Sequence, residues 1–221
     1  MAEDVVVSWS GGKDSALALE RVVRGGKFRV AALLTTVAEG LERVQIQNVQ
    51  RELIERQALA LGLPLRCVYI RKGASNAEYE ERLGVALANF GAAGVRRVAF
   101  GDLFLEDIRE YRESLLARLG MKGLYPLWGV DTRGLLEEFV GRGFKAVVTS
   151  VDARVLDDSF AGAEVDREFL ERLPKGVDPC GENGEFHTFV FDGPLFREAV
   201  RFSAGEKVFR DSFWFCDLVP E

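Results

Sequence analysis

The sequence predicts a doubly wound α/β fold, in which a parallel sheet carries helices on both faces, followed by a small α+β subdomain. Through residue 150, short apolar runs alternate with longer stretches of helical periodicity, the pattern of repeated strand–helix units. The runs are continuously apolar, as in strands that are buried on both faces of a parallel sheet. A chain of 221 residues is long enough for one domain and an appendage. We therefore place the sheet domain at residues 1–150 and the subdomain at residues 151–221.

The elements of the first domain follow one another in a regular order. Strands are predicted at residues 5–7, 29–36, 65–70, 98–100 and 146–150, and helices at residues 15–24, 47–61, 77–90, 108–119 and 132–142. The first helix has Ala16, Leu19 and Val22 on one face and stops at a pair of glycines, and the second stops at Gly62. In such sheets the ligand binds at the carboxyl ends of the strands, near the reversal in strand order.

The pattern changes after Val151. One helix is predicted at residues 165–173, and the short runs at 188–191, 199–202, 208–209 and 213–215 are typical of antiparallel strands. Turns are predicted at Asp192-Gly193 and at Ala204-Gly205.

Composition excludes several classes of protein. The net charge of −6 disfavours a nucleic acid partner, since dedicated nucleic acid binders are usually basic. No apolar run approaches the ~20 residues of a membrane span, and the acidic N-terminus does not resemble a signal peptide. The three cysteines, Cys67, Cys180 and Cys216, have neither zinc-site spacing nor the spacing of a secreted disulfide framework. We therefore expect a cytoplasmic protein without a membrane partner.

The most specific motif follows the first predicted strand and begins the first helix. It consists of Ser10, Gly11, Gly12, Lys13, Asp14 and Ser15. Two glycines let the backbone approach an anion closely, and the amides of a helix start point at it. Lys13 adds a cation, and the serines add hydroxyl donors. The segment therefore predicts a phosphate site, although it is neither a Walker A loop nor a dinucleotide fingerprint.

A second cluster lies where the fourth strand ends. Gly101-Asp102 is at the predicted ligand edge of the sheet, and the following helix begins at the same edge. Its Arg109 and Arg112 are placed to hold a carboxylate or a phosphate with their planar guanidinium groups.

A third cluster is a glycine-rich loop at residues 178–188, which could also be no more than a turn. Glu182 and Glu185 are spaced to serve one site, as Mg²⁺ ligands or as contacts to a substrate amine. For Cys180 an inert buried thiol is favoured over a nucleophile, because no basic group flanks it. A lone histidine such as His187 is more often a structural hydrogen-bonding residue than a general base.

The three clusters together resemble the diphthine–ammonia ligase family of the PP-loop, or N-type, ATP pyrophosphatases. The resemblance runs nearly end to end: the loop at residues 10–15, Gly101-Asp102 with the helix carrying Tyr111, Pro126-Leu127-Trp128, and the Cys-Gly-Glu-Asn-Gly-Glu-Phe-His-Thr segment at residues 180–188. It implies a fold like that of the adenine nucleotide alpha-hydrolases. It also implies a ligase that uses ATP to activate a carboxylate as an acyl-adenylate, with release of AMP and pyrophosphate, before ammonia or a small amine forms the amide.

The resemblance also implies roles for individual residues. Nucleotide contacts are expected from Ser8, Ser10, Gly11, Gly12, Lys13, Asp14, Ser15, Thr35 and Gly101. Substrate contacts are expected from Arg109, Tyr111, Arg112, Gly181, Glu182, Gly184, Glu185, His187 and Thr188. Catalytic roles fall to Lys13, Asp14, Asp102, Glu182 and Glu185, and Asp14 and Asp102 are the expected Mg²⁺ ligands.

Two departures from the family pattern bear on the substrate. Asn183 stands where the usual motif has glycine, and Phe186-His187 replaces Tyr-Glu. Several segments are similar to bacterial members, and bacteria have no diphthamide. An archaeal source therefore implies diphthine on elongation factor 2 as the acceptor, whereas a bacterial source leaves the acceptor unknown. Two alternatives stay open: a module that binds ATP or AMP without turnover, and an enzyme of the superfamily with another substrate, such as tRNA. A homodimer is also left open.

Overall fold

The computed structural model describes residues 2–44 and 47–221, which form two compact units. The first unit comprises the described residues through 10 together with 14–43 and 63–129. The second comprises residues 11–13 and 130–221 together with the described part of 44–62. The chain passes from one unit to the other and back within the predicted phosphate loop.

The first unit is built on a mostly parallel sheet. Its strands are β1 (Glu3–Ser8), β2 (Phe28–Ala38), β3 (Arg43–Val44), β4 (Leu65–Ile70), β5 (Arg97–Ala99) and β6 (Lys122–Leu124). The parallel strands lie in the order β4-β2-β1-β5-β6, and the two-residue β3 borders β2. From β1 the chain first extends the sheet on one side through β2 and β4, and it then returns to the other side through β5 and β6. The reversal of a doubly wound sheet therefore lies between β1 and β5.

The helices of this unit are α1 (Lys13–Gly25), α3 (Asn76–Ala92) and α4 (Glu106–Arg118). Val6, Leu34 and Val98 of the sheet share a core with Leu87 of α3 and Leu116 of α4. The neighbouring residues of β1 on the opposite face, Val5 and Val7, are also fully buried. Both faces of the central strand are thus covered, which confirms the predicted α/β class.

The second unit contains α2 (Arg51–Leu61), α5 (Thr132–Gly141), β7 (Lys145–Asp152), α6 (Arg167–Arg172), β8 (Phe186–Asp192), β9 (Phe202–Arg210) and β10 (Phe213–Pro220). Its four strands form an antiparallel sheet in the order β8-β7-β10-β9. No helix in the described part of the chain is both long and apolar enough to cross a membrane.

Three element predictions are corrected by the structure. The run at 146–150 is not a strand of the parallel sheet, because β7 pairs with β8 and β10 in antiparallel register. Its apolar sequence reflects burial on both faces and does not specify the partner strand. The residues Ala204-Gly205 lie inside β9 rather than in a turn, and of the run at 199–202 only Phe202, the first residue of β9, lies in a strand. The turn lies instead at Asp211 and Ser212, where φ is 51° and 67°.

Candidate functional site

The site begins at the carboxyl ends of β1 and β5, on either side of the strand reversal. Ser8 ends β1, Ser10 follows it, and Gly101 follows β5. A Cβ atom on Gly101 would lie 2.8 Å from the carbonyl carbon of Asp14 and 3.0 Å from the amide nitrogen of Ser15. Only glycine permits so close an approach between the segment after β5 and the first turn of α1.

Several predicted nucleotide contacts lie in the first unit. The Ser10 hydroxyl lies 3.2 Å from the Ser15 hydroxyl, to which it donates. Asp14 occupies the first turn of α1. Thr35 of β2 is 2% exposed, and its hydroxyl finds no hydrogen-bond partner among the residues that the structure describes. A buried hydroxyl of this kind is costly unless a ligand or water pairs with it.

The remaining residues of the phosphate loop, 11–13, belong to the second unit and rest on β8 and α2. The Gly11 carbonyl accepts hydrogen bonds from the Val190 amide at 2.9 Å and from the Gln57 side-chain amide at 2.9 Å. Gly11 has φ 81°, and a Cβ there would lie 2.5 Å from Cδ1 of Ile54. The loop conformation therefore requires glycine at this position.

Lys13 links the phosphate loop to the C-terminal motif. Its backbone amide donates to the Thr188 hydroxyl at 3.1 Å. Its ammonium donates to the Cys180 carbonyl and lies 5.2 Å from the centre of the Phe186 ring. The lysine is 2% exposed. Two motifs that lie more than 160 residues apart in the sequence therefore meet at one cation.

The loop at residues 178–185 is folded around two carboxylates. Glu185, 8% exposed, accepts hydrogen bonds from the Asp178 amide and from both the backbone and side-chain amides of Asn183, each at 3.0 Å. Asp178 accepts from the Cys180 and Glu182 amides. Gly181 and Gly184 supply positive φ angles of 66° and 88°. Glu185 thus holds the shape of the loop on which the half-buried Glu182 is carried.

His187 is held as a neutral imidazole. It lies on β8 opposite Ser150 of β7. Burial, reinforced by the Lys13 ammonium, lowers the pKa of His187 to about 4. At neutral pH the residue therefore adds no second positive charge beside Lys13.

We expect His187 to make the protein less stable in acid. Its pKa is about 4 in the folded state and about 6.5 when unfolded, so between these values the unfolded chain binds the additional proton. Stability should fall as pH decreases from 6.5 to 4, by at most about 3 kcal/mol. Urea unfolding at pH 7, 5.5 and 4.5 should show a steeper loss for the wild type than for His187→Gln. Parallel losses in the two proteins would contradict the assignment.

A stack of arginines and aromatic rings occupies the carboxyl ends of β5 and β6. The Arg112 guanidinium lies 4.4 Å from the centre of the Phe100 ring, which stacks on Tyr125 at 5.6 Å. Arg109 lies between Tyr125 and Trp128, at 4.8 Å and 4.5 Å from their ring centres. The rings hold both guanidinium groups in place at the edge where a ligand of the sheet would bind.

The two arginines have different partners. Arg112 contacts both carboxylate oxygens of Asp102, with Nε 2.7 Å from Oδ2 and Nη2 3.1 Å from Oδ1. Arg109 has cation–π partners instead, so its planar N–H groups are the ones suited to an incoming anion. The Tyr111 hydroxyl contacts Glu80, and burial together with this carboxylate raises the pKa of Tyr111.

No group of three or more histidine, cysteine, aspartate or glutamate side chains capable of holding a metal ion occurs in the described part of the chain. Asp14 and Asp102 lie in the same unit, and their neighbouring backbones pack together through Gly101. Two carboxylates suit Mg²⁺, which usually takes one or two protein ligands and completes its shell with phosphate oxygens and water.

Gln57 is the site residue that sequence reasoning missed. It is fully buried on α2 and contacts the phosphate loop. Gln57 lies three residues after Ile54 and four after Leu53, so it is a polar residue on the apolar face of the helix. A polar residue on the apolar face of a helix was the one sign in the sequence that Gln57 has a buried polar partner.

The fold places the chain among the α/β proteins in which a ligand site lies at the strand reversal of a parallel sheet. Comparison with known families narrows the class. The Diphthamide synthase N-terminal domain matches residues 3–123, and the Diphthamide synthase C-terminal domain matches residues 131–219. The chain therefore belongs to the diphthamide synthase family.

The chain is similar to several curated diphthine–ammonia ligases. The chain is 31% identical to the diphthine–ammonia ligase of Danio rerio, over 90% of this chain and 86% of the relative. It is 29% identical to the diphthine–ammonia ligase of Homo sapiens, over 90% of this chain and 82% of the relative. With the Schizosaccharomyces pombe enzyme it shares 29% identity over 95% of this chain but only 38% of that longer protein.

Proposed function

We propose that the protein is an ATP-dependent amide ligase of the diphthine–ammonia ligase type. One observation carries the proposal most directly: Lys13 of the phosphate loop contacts Cys180, Phe186 and Thr188 of the C-terminal motif. A residue suited to phosphate is thus in contact with the segment that is most specific to this family. The names of the relatives supply the reaction class and the acceptor, diphthine.

The reaction that we propose has two steps. A carboxylate oxygen of the acceptor attacks the α-phosphorus of ATP, the bond to the bridging oxygen breaks, and pyrophosphate leaves. Ammonia then attacks the activated carbonyl carbon, AMP leaves, and a proton is released. Both steps depend on positioning and on neutralising phosphate charge, which fixed amides, Lys13 and the start of α1 are suited to provide.

The nucleotide side of the proposed site comprises residues 10–15 with Ser8, Thr35 and Gly101. The close packing at Gly11 and at Gly101 and the buried Thr35 hydroxyl are features that this role would explain. Asp14 and Asp102 would hold Mg²⁺, which would neutralise phosphate charge when bound. Because Arg112 engages both oxygens of Asp102, we assign Arg112 first to orienting that carboxylate.

Acceptor contacts are proposed within each unit separately: the glycine-rich loop in the second unit, and the first turns of α4 in the first. Arg109 is suited to the acceptor carboxylate, and Glu182 is suited to an ammonium or amine. Tyr111, Gly181, Gly184, Glu185, His187 and Thr188 complete the proposed acceptor set. We also propose a cytoplasmic location. There the enzyme would encounter both ATP and elongation factor 2, the protein that carries diphthine.

Isotope-labelled ATP tests the proposed chemistry. With ammonium and elongation factor 2 that carries diphthine, the products should be AMP and pyrophosphate in amounts equal to the amide formed. Lys13→Ala should abolish turnover. Lys27→Ala should not, because the Lys27 backbone pairs with Glu3 at the start of β1, and the loop follows the opposite end of that strand. ADP and phosphate as the main products would contradict the assignment. ATP binding without turnover on any carboxylate would favour a module that binds ATP or AMP without catalysis. Turnover on tRNA would favour an enzyme of the same superfamily with another substrate.

A further inference from the structure

Gln57 connects three elements of the second unit through one side-chain amide. The residue lies on α2 and is fully buried. Its Nε2 donates to the Gly11 carbonyl at 2.9 Å and to the Val190 carbonyl of β8 at 2.6 Å. The Val190 amide donates to the same Gly11 carbonyl at 2.9 Å. The phosphate loop is thus attached to β8 and α2 by a shared set of hydrogen bonds.

These bonds fix the orientation of one peptide plane. In a trans peptide the carbonyl of one residue and the N–H of the next point in opposite directions. Two donors hold the Gly11 carbonyl toward β8 and α2, so the N–H of Gly12 is directed to the other side of the plane. An anion at the start of α1 needs backbone N–H groups aimed at it. The orientation of this peptide therefore determines whether the loop can serve an anion.

We propose that Gln57 is a positioning residue for phosphate binding, which holds the Gly11–Gly12 peptide with its N–H directed toward the pyrophosphate portion of the nucleotide. The proposal rests on the proposed function. It assigns Gln57 no contact with ligand.

The chemistry of the side chain explains why an amide is required. Only a primary amide offers two N–H donors from one atom at this length, and here both are used on carbonyl oxygens. A carboxylate would face the same two oxygens with no donor, and a thioether would leave both carbonyls with one partner fewer. Either change removes one of the two donors that hold the Gly11 carbonyl, so the peptide plane is held less firmly and other orientations compete with it.

Binding of inorganic pyrophosphate, measured by calorimetry, tests the proposal. Gln57→Met, which keeps the length of the side chain but removes the donors, should weaken binding at least about tenfold. Gln50→Met is the matched control, because Gln50, at the N-cap of α2, also donates to a backbone carbonyl, that of Leu218, away from the loop. The control should lose some thermal stability but bind pyrophosphate within about twofold of wild type.

A second variant separates positioning from general destabilisation. A protonated carboxyl has one O–H donor, so the binding deficit of Gln57→Glu relative to wild type should shrink as pH is lowered from about 8 to about 6. Equal affinity in Gln57→Met and wild type would overturn the inference, as would a pH-independent deficit in Gln57→Glu. Failure of the wild type to bind pyrophosphate or ATP would instead overturn the proposed function and this inference with it.

Discussion

Replacing Gly11 with alanine should nearly abolish ATP binding. At φ 81° an alanine is strained by roughly 1–2 kcal/mol, and its Cβ would lie 2.5 Å from Ile54 and 2.7 Å from the side-chain oxygen of Gln57. Either the loop or the side chains of Ile54 and Gln57 must shift, which disturbs the hydrogen bond from Gln57 to the Gly11 carbonyl. We expect a drop in ATP affinity of about 100-fold or more, equivalent to about 3 kcal/mol, in a calorimetric titration.

Gly40→Ala separates the two causes of this effect. Gly40 also has φ 81°, but no atom lies within 4 Å of the position that its Cβ would take. This variant should show the cost of backbone strain in its melting temperature and keep the affinity of the wild type for ATP. Unchanged ATP affinity in Gly11→Ala would contradict the assignment of residues 10–15 as the phosphate site.

Glu185→Gln should reduce product formation by about 100-fold or more. The carboxylate of Glu185 accepts hydrogen bonds from the Asp178 amide and from two N–H groups of Asn183. Glutamine has one oxygen, so its own NH₂ group must face a donor. The loop that carries Glu182 and presents the Cys180 carbonyl to Lys13 then loses its shape, at a cost of about 1–3 kcal/mol in stability. We expect ATP affinity to fall less than turnover.

Glu182→Gln is the comparison on the same loop. Its backbone amide bonds to Asp178, and this bond does not depend on the side chain. If Glu182 serves the acceptor, its variant should lose turnover with a smaller drop in unfolding temperature than Glu185→Gln shows. A Glu185→Gln enzyme with full activity and unchanged stability would refute the role assigned to that carboxylate.

Much of the first unit could be predicted, and a phosphate site at residues 10–15 could be proposed, because the determinants are local. The two glycines, Lys13 and Ser15 indicate a turn suited to an anion. Their conformational and donor properties do not depend on tertiary contacts. Apolar runs likewise identify β1 and β2, because strands buried on both faces need few polar positions. The short strand β6 escaped prediction since three residues, one of them a glycine, give no readable period.

The sequence by itself determined the α/β class and predicted a phosphate site at residues 10–15 and an acceptor site in the C-terminal motif, because each depends on residue types within a few positions of one another. Only the tertiary structure decided which groups those residues contact. It placed β7 in the antiparallel sheet, paired Arg112 with Asp102, turned Glu185 to its own loop and brought Gln57 to Gly11. A hydrogen bond needs its partners within about 3 Å and in line, and no local pattern specifies that distance between residues far apart in the chain.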